Sequence, residues 1–436
     1  MGYAALIIGF LLLATLCLLN INAVIAAFTA ALAVVVLAAL PLTESLIDVF
    51  FGRFGTIAGS MFPMFLFGSI LAKIYTGSGA AYSIAETVGY HLFRFAKSEK
   101  QKYALGFLSV ILSAAIICYG GINAAVALLT IYPIALNIFQ KAGIPKRFIM
   151  GAICGGAFTF ALSGPGSPQP TNVVAMEIGT SSGVGLVAGF VGAIVEIIVM
   201  VIILTYLCIR AVKQGEKFLP GPKDVLDTSA HKKIGFFRCI LPLLVLLVLF
   251  NFLKINIALA ILLSCLAAVI IFFPELKKEK ILYSLNEGAF QALLPTVTIA
   301  GINGFAAVVQ TVPEYEKVID KLLSSSLPPV LMLIFCVSLI CMITGGSTTG
   351  TQIALPVISP VLTGLGLSLP FIHRVGTFAA TMLDSIPSSG AIIMAINVAG
   401  LKMKDGYPPV FVSTIIATTC GTIAVALMMS LFPMLP

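Results

Sequence analysis

Glycine, proline and hydroxyl residues interrupt the apolar segments of this chain at four places, and the four form two matched pairs. Tyr119-Gly120-Gly121-Ile122-Asn123 is followed by Pro145 and then by Ser163-Gly164-Pro165-Gly166-Ser167-Pro168-Gln169. Thr344-Gly345-Gly346-Ser347-Thr348-Thr349-Gly350 is followed by Pro370 and then by Asp384-Ser385-Ile386-Pro387-Ser388-Ser389-Gly390. Gly120 to Gly345 and Pro145 to Pro370 are both shifts of 225 residues; Ser163 to Ser385 and Pro165 to Pro387 are shifts of 222. Breaks at corresponding positions of two halves point to the binding site of a secondary transporter.

The apolar segments themselves fix the class. The 436 residues are 59% hydrophobic and 10% charged, against about 25% charged in a soluble domain. Several runs reach the ~20 residues that span a bilayer, so the chain reads as an all-α polytopic membrane protein. The net charge of +8 does not indicate nucleic acid, because the cations sit in short loops beside the spans and set orientation. The nine Cys show no CxxC or metal-ligand spacing and lie mostly in apolar runs, as packed free thiols do. Met1 to Leu19 lacks a basic leading region and reads as the first span, with no cleavable signal.

Hydropathy predicts two repeats in one membrane unit. Repeat 1 covers 1–210, with spans at 3–19, 22–40 and 56–75, a hairpin at 104–139, a broken helix at 147–181 and a full span at 183–209. A polar linker covers 211–236. Repeat 2 covers 237–436, with spans at 237–252, 255–273 and 285–311, a hairpin at 328–365, a broken helix at 372–400 and a last span at 408–432. The arms 104–118 and 124–139 have about 15 residues each, short for a crossing at 1.5 Å per residue, so the hairpins are expected to be re-entrant.

Counting cations orients the scheme. With 91–102 in the cytoplasm, 20 of the 25 Lys and Arg fall on that side, and Arg53, Lys254, Lys317, Lys321 and Arg374 fall outside. The linker is then cytoplasmic and both termini face outward. The two repeats enter the membrane in opposite senses, the inverted-topology design of alternating-access carriers.

Each break frees backbone N–H and C=O groups at membrane depth, which survive only inside protein or beside a wet cavity. Half-helix N-termini offer donors and a positive dipole end suited to a carboxylate; freed carbonyls can meet a cation. The expected substrate-binding residues are Gly120, Gly121 and Asn123 of the first tip, and Ser167, Gln169, Thr171 and Asn172 of the first break. Gly345, Gly346, Ser347 and Thr348 of the second tip join them, with Ser385, Ser388 and Ser389 of the second break. Asp384 is an intramembrane carboxylate, functional by default; it could carry a proton, or cap the following half-helix.

Glu196 lies in mid-span, where a proton relay and a bond to a neighbouring helix are both open. His373 begins a broken span beside Arg374 as a weaker candidate for coupling. No Walker motif, HExxH or GxSxG is present, no cofactor or metal is expected, and an enzyme is disfavoured. A channel would need a continuous polar pore, and only clustered breaks are visible. Transport must draw on an ion or substrate gradient.

The stretches YGGINAAVALLTIYPIAL (119–136), IPKRFIMGAICGGAFTFALSGPGSPQPTN (144–172), TGGSTTGTQIAL (344–355) and HRVGTFAATMLDSIPSSGAI (373–392) resemble the gluconate permease family, which includes hydroxybutyrate-type permeases and belongs to the ion transporter superfamily. The resemblance implies a proton-coupled symporter of small organic acids in the cell inner membrane. It also implies a homodimer and an elevator motion, in which hairpins and broken helices move against a scaffold of the other spans. Family members often read LDSLPHNG where this chain reads Leu383 to Gly390, so Ser388 and Ser389 stand in place of a His-Asn pair. The imidazole that titrates most readily near neutral pH is absent. The expectation is a symporter of a small carboxylate such as gluconate or a 3-hydroxy acid, with H+ as the coupling ion and Na+ as the alternative.

Overall fold

In hydrocarbon an apolar segment must close its hydrogen bonds within itself, and every regular element described here is helical. The computed structural model describes residues 2–19, 21–222, 224, 234–276, 278–315, 317, 327–387 and 389–433.

In the first half, Gly2–Leu18 and Ala23–Leu37 lead into the long helix Glu44–Ser78, whose first turns are π-helical. Ala80–Phe93 follows, a helix that hydropathy did not identify. The hairpin arms are Glu99–Tyr119 and Ala124–Ala142, the broken helix starts at Ile149, and Leu186–Lys213 closes the half. In the second half, Phe236–Phe252 and Ile257–Ile271 lead into Lys278–Gln310. Then come the arms Pro329–Thr344 and Ser347–Gly364, the half-helices Leu369–Ala380 and Gly390–Val398, and the last span Met403–Leu431.

The same punctuation shapes both halves. Asn22 and Asn256 cap the second helix of each half by accepting the N–H two residues on. Pro63 and Pro295 sit inside the two long helices, where each removes a backbone donor. These long helices pack on each other, so closely that a Cβ on Gly288 would lie 2.8 Å from the Cα of Ile70. Ala23–Leu37 packs on Lys278–Gln310, and Ile257–Ile271 packs on Glu44–Ser78.

Two expected boundaries are corrected. The first hairpin's arms have 21 and 19 residues, not about 15, because Ser98 caps the leading arm a turn earlier by accepting Gln101 N–H. Arm length therefore no longer distinguishes a re-entrant hairpin from two crossings. The first break is also shorter than 163–172. Helix resumes at Pro170, whose fixed φ suits a first helical position, so Thr171 and Asn172 are helical. A second interruption lies at Phe158–Thr159. Phe190, Ile194, Ile198 and Ile202 recur every four residues on an exposed stripe of Leu186–Lys213, the face that meets lipid acyl chains.

Candidate functional site

The first break is held by a buried polar network. Arg374 has no solvent exposure. Its guanidinium donates to the carbonyls of Val184 and Ser182, both at 2.9 Å, to the carbonyl of Ser163, and to Asn172 Oδ1 at 3.1 Å. All are neutral acceptors, three of them backbone carbonyls that the break and the following turns leave free. Asn172 is the hub: its Nδ2 donates to the carbonyls of Ser167 (2.8 Å) and Ser182 (3.3 Å). Its Oδ1 also receives His373 Nε2 at 3.1 Å, while Thr180 faces the other ring nitrogen at 2.5 Å. The tautomer that fits carries its proton on Nε2. Asn251, in the π turn of Phe236–Phe252, adds a clasp from another helix: its Nδ2 donates to Gly166 O and its Oδ1 accepts Ser182 Oγ, both at 3.0 Å.

Counting of charges groups Arg374 with the outer cations, at the start of the broken span; its side chain is buried inside the protein. His373 is equally buried and spent on this network.

Gln169 ties the first break to the first tip. Its Nε2 donates to the carbonyls of Cys118 and Ile122 (2.9 Å to the latter), two acceptors freed where the arm ends. Gly121 turns the tip at φ +91°, a conformation that favours glycine. Gly120 packs on Leu243, which a Cβ there would meet at 2.5 Å.

The second tip meets both breaks. Gly345 turns it at φ +66°, and Ser347 opens the 18-residue arm Ser347–Gly364. Thr171 Oγ1 lies 3.2 Å from Ser347 Oγ and 2.9 Å from Thr348 Oγ1, joining the first break to the second tip. Ser389 Oγ donates to Gly345 O at 3.1 Å, joining the second break to the same tip. Asp384 accepts Ser385 Oγ at 2.7 Å and lies within reach of the hydroxyl and backbone N–H of Ser347. Its carboxyl thus faces the N-terminus of the second hairpin's trailing arm. Of the two roles open to it, capping of the following half-helix is not seen: Gly390–Val398 starts from Ser389 without a side-chain cap.

These pieces surround one cavity of about 510 Å³. Asn123 lines it from the first tip and Gln169 from the first break. Gly345, Gly346, Ser347 and Thr348 line it from the second tip, and Asp384, Ser385 and Ser389 from the second break. Gly120, Gly121, Ser167, Thr171 and Asn172 do not line it and form its frame; Ser388 lies outside the described residues. The sequence reading passed over Thr349 and, on the opposite wall, Phe65, Pro295 and Thr298. A proline with a hydroxyl three residues on, deep in the apolar span of Lys278–Gln310, was the available signal for Thr298. Asp384 is the one ionisable side chain among the described residues lining the cavity. The site therefore offers hydroxyls, amides and a helix N-terminus, but no cationic side chain.

Glu196 bonds to a neighbouring segment: its Oε2 accepts Phe160 N–H at 3.0 Å. No group of three or more His, Cys, Asp or Glu fit to hold a metal occurs among the described residues.

Comparison with known proteins follows this geometry. A family model described as GntP family permease matches residues 2–256. The uncharacterized transporter YxjC of Bacillus subtilis (strain 168) is 26% identical over 417 residues, covering 84% of this chain and 85% of that protein. An uncharacterized transporter of Haemophilus influenzae is 25% identical over 332 residues, covering 74% and 73%. Among solved structures, the Alcanivorax borkumensis YdaH transporter superposes with a TM-score of 0.61 at 14% identity, covering 88% of each chain. Neisseria gonorrhoeae MtrF, described in an account of antimetabolite efflux pumps, superposes at 0.51 and 16% identity, covering 89% of this chain and 83% of its own. At these identities the two structures speak to the fold alone.

Proposed function

Because the chain belongs to the GntP permease family, a family of membrane transporters and not of enzymes, we propose that it is a proton-coupled symporter of a small hydroxylated carboxylate. The observation that carries this reading is the single cavity on which both tips and both breaks converge. A multi-pass protein has little other reason to concentrate free backbone groups and hydroxyls at one buried point.

The chemistry follows from Asp384. An ionised Asp384 occupies the positive N-terminus of Ser347–Gly364, and a substrate carboxylate would compete with it for the same donors. Among the described residues, no cationic side chain lines the cavity to hold two anions together. A proton on Asp384 removes the second charge and frees Ser347 for the substrate, so proton and anion bind together. Asn123, Gln169, Ser347, Thr348, Ser385 and Ser389 would take the substrate's hydroxyls. Gly120, Gly121, Ser167, Thr171, Asn172, Gly345 and Gly346 would give the cavity its shape.

We read the halves 1–210 and 237–436 as inverted repeats joined by the cytoplasmic linker 211–236, with both termini outside the inner membrane. The matched Asn caps, the matched prolines and the exchange of second helices between the long helices support that reading. The two long helices supply Phe65, Pro295 and Thr298 to one wall of the cavity. They would form the fixed scaffold, in a homodimer, past which hairpins and broken helices move as an elevator.

The test is uptake of labelled gluconate and 3-hydroxybutyrate into proteoliposomes. The expected result is saturable accumulation against a gradient, driven by an imposed pH difference. Accumulation driven by sodium alone would transfer the coupling to that ion. Equilibration without accumulation under either gradient would mark a channel and overturn the proposal.

A further inference from the structure

Glu196 is fully buried in the membrane-spanning helix Leu186–Lys213, and only half of its carboxyl group has an evident partner. Oε2 accepts Phe160 N–H, but Oε1 has no hydrogen-bond partner. Thr159 also approaches the carboxyl group, yet its hydroxyl proton is committed to the carbonyl of Gly155. Oε1 is thus left without a donor in a fully buried place.

No ion pair to Glu196 occurs among the described residues. On the elements packed against this helix, the titratable groups include the thiols of Cys118, Cys154 and Cys420, the phenols of Tyr103 and Tyr119, and His373 and Arg374 of Leu369–Ala380, which touches the helix start at Gly185 and Gly189; the Arg374 guanidinium is spent on Val184, Ser182, Ser163 and Asn172. Glu99, Lys100 and Lys102 sit at the far first turn of the arm Glu99–Tyr119. From the last span, Gly421 presses on the carboxyl group, where a Cβ would lie 2.5 Å from Oε1. An ionised carboxylate with one hydrogen bond is costly in such a place. A carboxylic acid has the missing donor.

We infer that Glu196 is a second proton-binding site, distinct from Asp384, which binds a proton on Oε1, with the hydroxyl of Thr159 as the acceptor that proton would turn to. The O–H bond on Oε1 forms as a hydronium ion at the break loses one O–H bond and becomes water, and the reverse transfer regenerates hydronium and the carboxylate. The site is placed to respond to the cavity. Thr159 has φ −126° and ψ −126°, outside the regular wells, at the interruption between Ile149–Ala157 and Phe160–Ser163. Its neighbours Phe158 and Leu162 line the cavity. A rearrangement of that interruption which withdraws Phe160 N–H or turns Thr159 changes what the proton is bonded to. The role in coupling rests on the symporter reading above; the proton site itself does not.

Infrared difference spectroscopy on the purified full-length protein tests it without any substrate. Asp384→Asn serves as background, so that this carboxyl contributes no acid band. The expected result is an acid carbonyl band that shifts in deuterated water, vanishes at high pH and is missing from the Asp384→Asn/Glu196→Gln protein. The Gln still accepts Phe160 N–H, so the double variant should unfold at the same temperature as its background. Should it fail to fold, Thr159→Val in the same background removes the proton's acceptor, and the band should titrate at lower pH. A Glu196 band that neither exchanges nor titrates marks a fixed structural acid and overturns the inference. So does the absence of any band sensitive to Glu196→Gln, or a band unmoved by Thr159→Val.

Discussion

The two breaks occupy matched places in the sequence and do different work. The first is saturated: Arg374, Asn172, Thr377 and Asn251 satisfy carbonyls of the break and the turns after it, and three of these four come from the other half of the chain. Among the described residues, the second has fewer ties. Ser389 reaches Gly345, Tyr407 donates to Ser385 O at 3.1 Å, and Asp384 and Ser385 stand at the cavity. A duplicated motif thus supplies one break as frame and one as working surface. Hydrogen bonds spent on rigidity are not available to a ligand, so affinity and coupling should concentrate at the second break and stability at the first.

Arg374→Met is the strongest challenge to this division. It takes the Arg374 donor from the carbonyl of Val184, at about 1–3 kcal/mol for a buried acceptor left unpaired, and one donor each from the carbonyls of Ser163 and Ser182, which keep Thr377 Oγ1 and Gly166 N–H, and it removes the charge around which the network is built. The expected outcome is little or no monodisperse protein on size exclusion in detergent. A well-folded variant would show that the first break is not held this way.

Asp224 of the linker extends the frame outside the membrane, and its effect should be intermediate. Lys146 Nζ lies 2.7 Å from its Oδ2, Gly221 N–H donates to Oδ2 at 2.6 Å, and Tyr132 OH donates to Oδ1 at 2.8 Å. Burial pushes this carboxyl up, but the bonds from Lys146, Gly221 and Tyr132 outweigh it and hold the group below its ordinary value. Its stabilisation is therefore present above the unfolded carboxylate value of about 3.9 and lost as pH falls through the lower folded value. Asp224→Asn should cost about 1–2 kcal/mol near neutrality. The gap to the unaltered protein in thermal unfolding should stay constant down to about pH 4 and close below it. A gap that widens on acidification would reverse the assigned sign.

Asp384→Asn should do least to the fold and most to transport. A near-isosteric change at the loosely tied break should move stability by no more than about 1 kcal/mol. Proton-driven accumulation in proteoliposomes should vanish while exchange of labelled for unlabelled substrate survives. Intact accumulation under a pH gradient would remove Asp384 from the coupling role.

Much of this architecture was legible because its causes are local. Apolar runs must be helical in a bilayer, and Gly-Gly or Gly-Pro-Gly inside them interrupts the helix, so the order of most elements and the centres of the tips and breaks followed directly, whereas the interruption at Phe158–Thr159, which has no Gly or Pro, did not. What escaped depends on residues distant in sequence. Arg374 meets Ser163 across 211 positions, and counting loop charges could only class it as an outer cation, although a cation running on into Val375-Gly376-Thr377-Phe378 is an intramembrane charge that needs a partner. Asn251 reads as a polar residue at a span end; only the fold brings it to Gly166. The helix Ala80–Phe93 was missed because its polar face hides it from hydropathy. Gln169 and Asn172, two adjacent-looking amides of one motif, part company because Pro170 starts a helix between them and turns one toward the cavity and the other toward Arg374.

The central claim is that residues of both halves line one chamber that opens in turn to each side of the membrane. The direct measurement uses single cysteines at Asn123 and at Ser389, each on a cysteine-free background, in right-side-out and inside-out vesicles. A membrane-impermeant thiol reagent should modify each cysteine from both sides, and the hydroxy acid that is transported should slow all four reactions. Modification of Asn123→Cys from one side only and of Ser389→Cys from the opposite side only, with no protection by substrate, would contradict it.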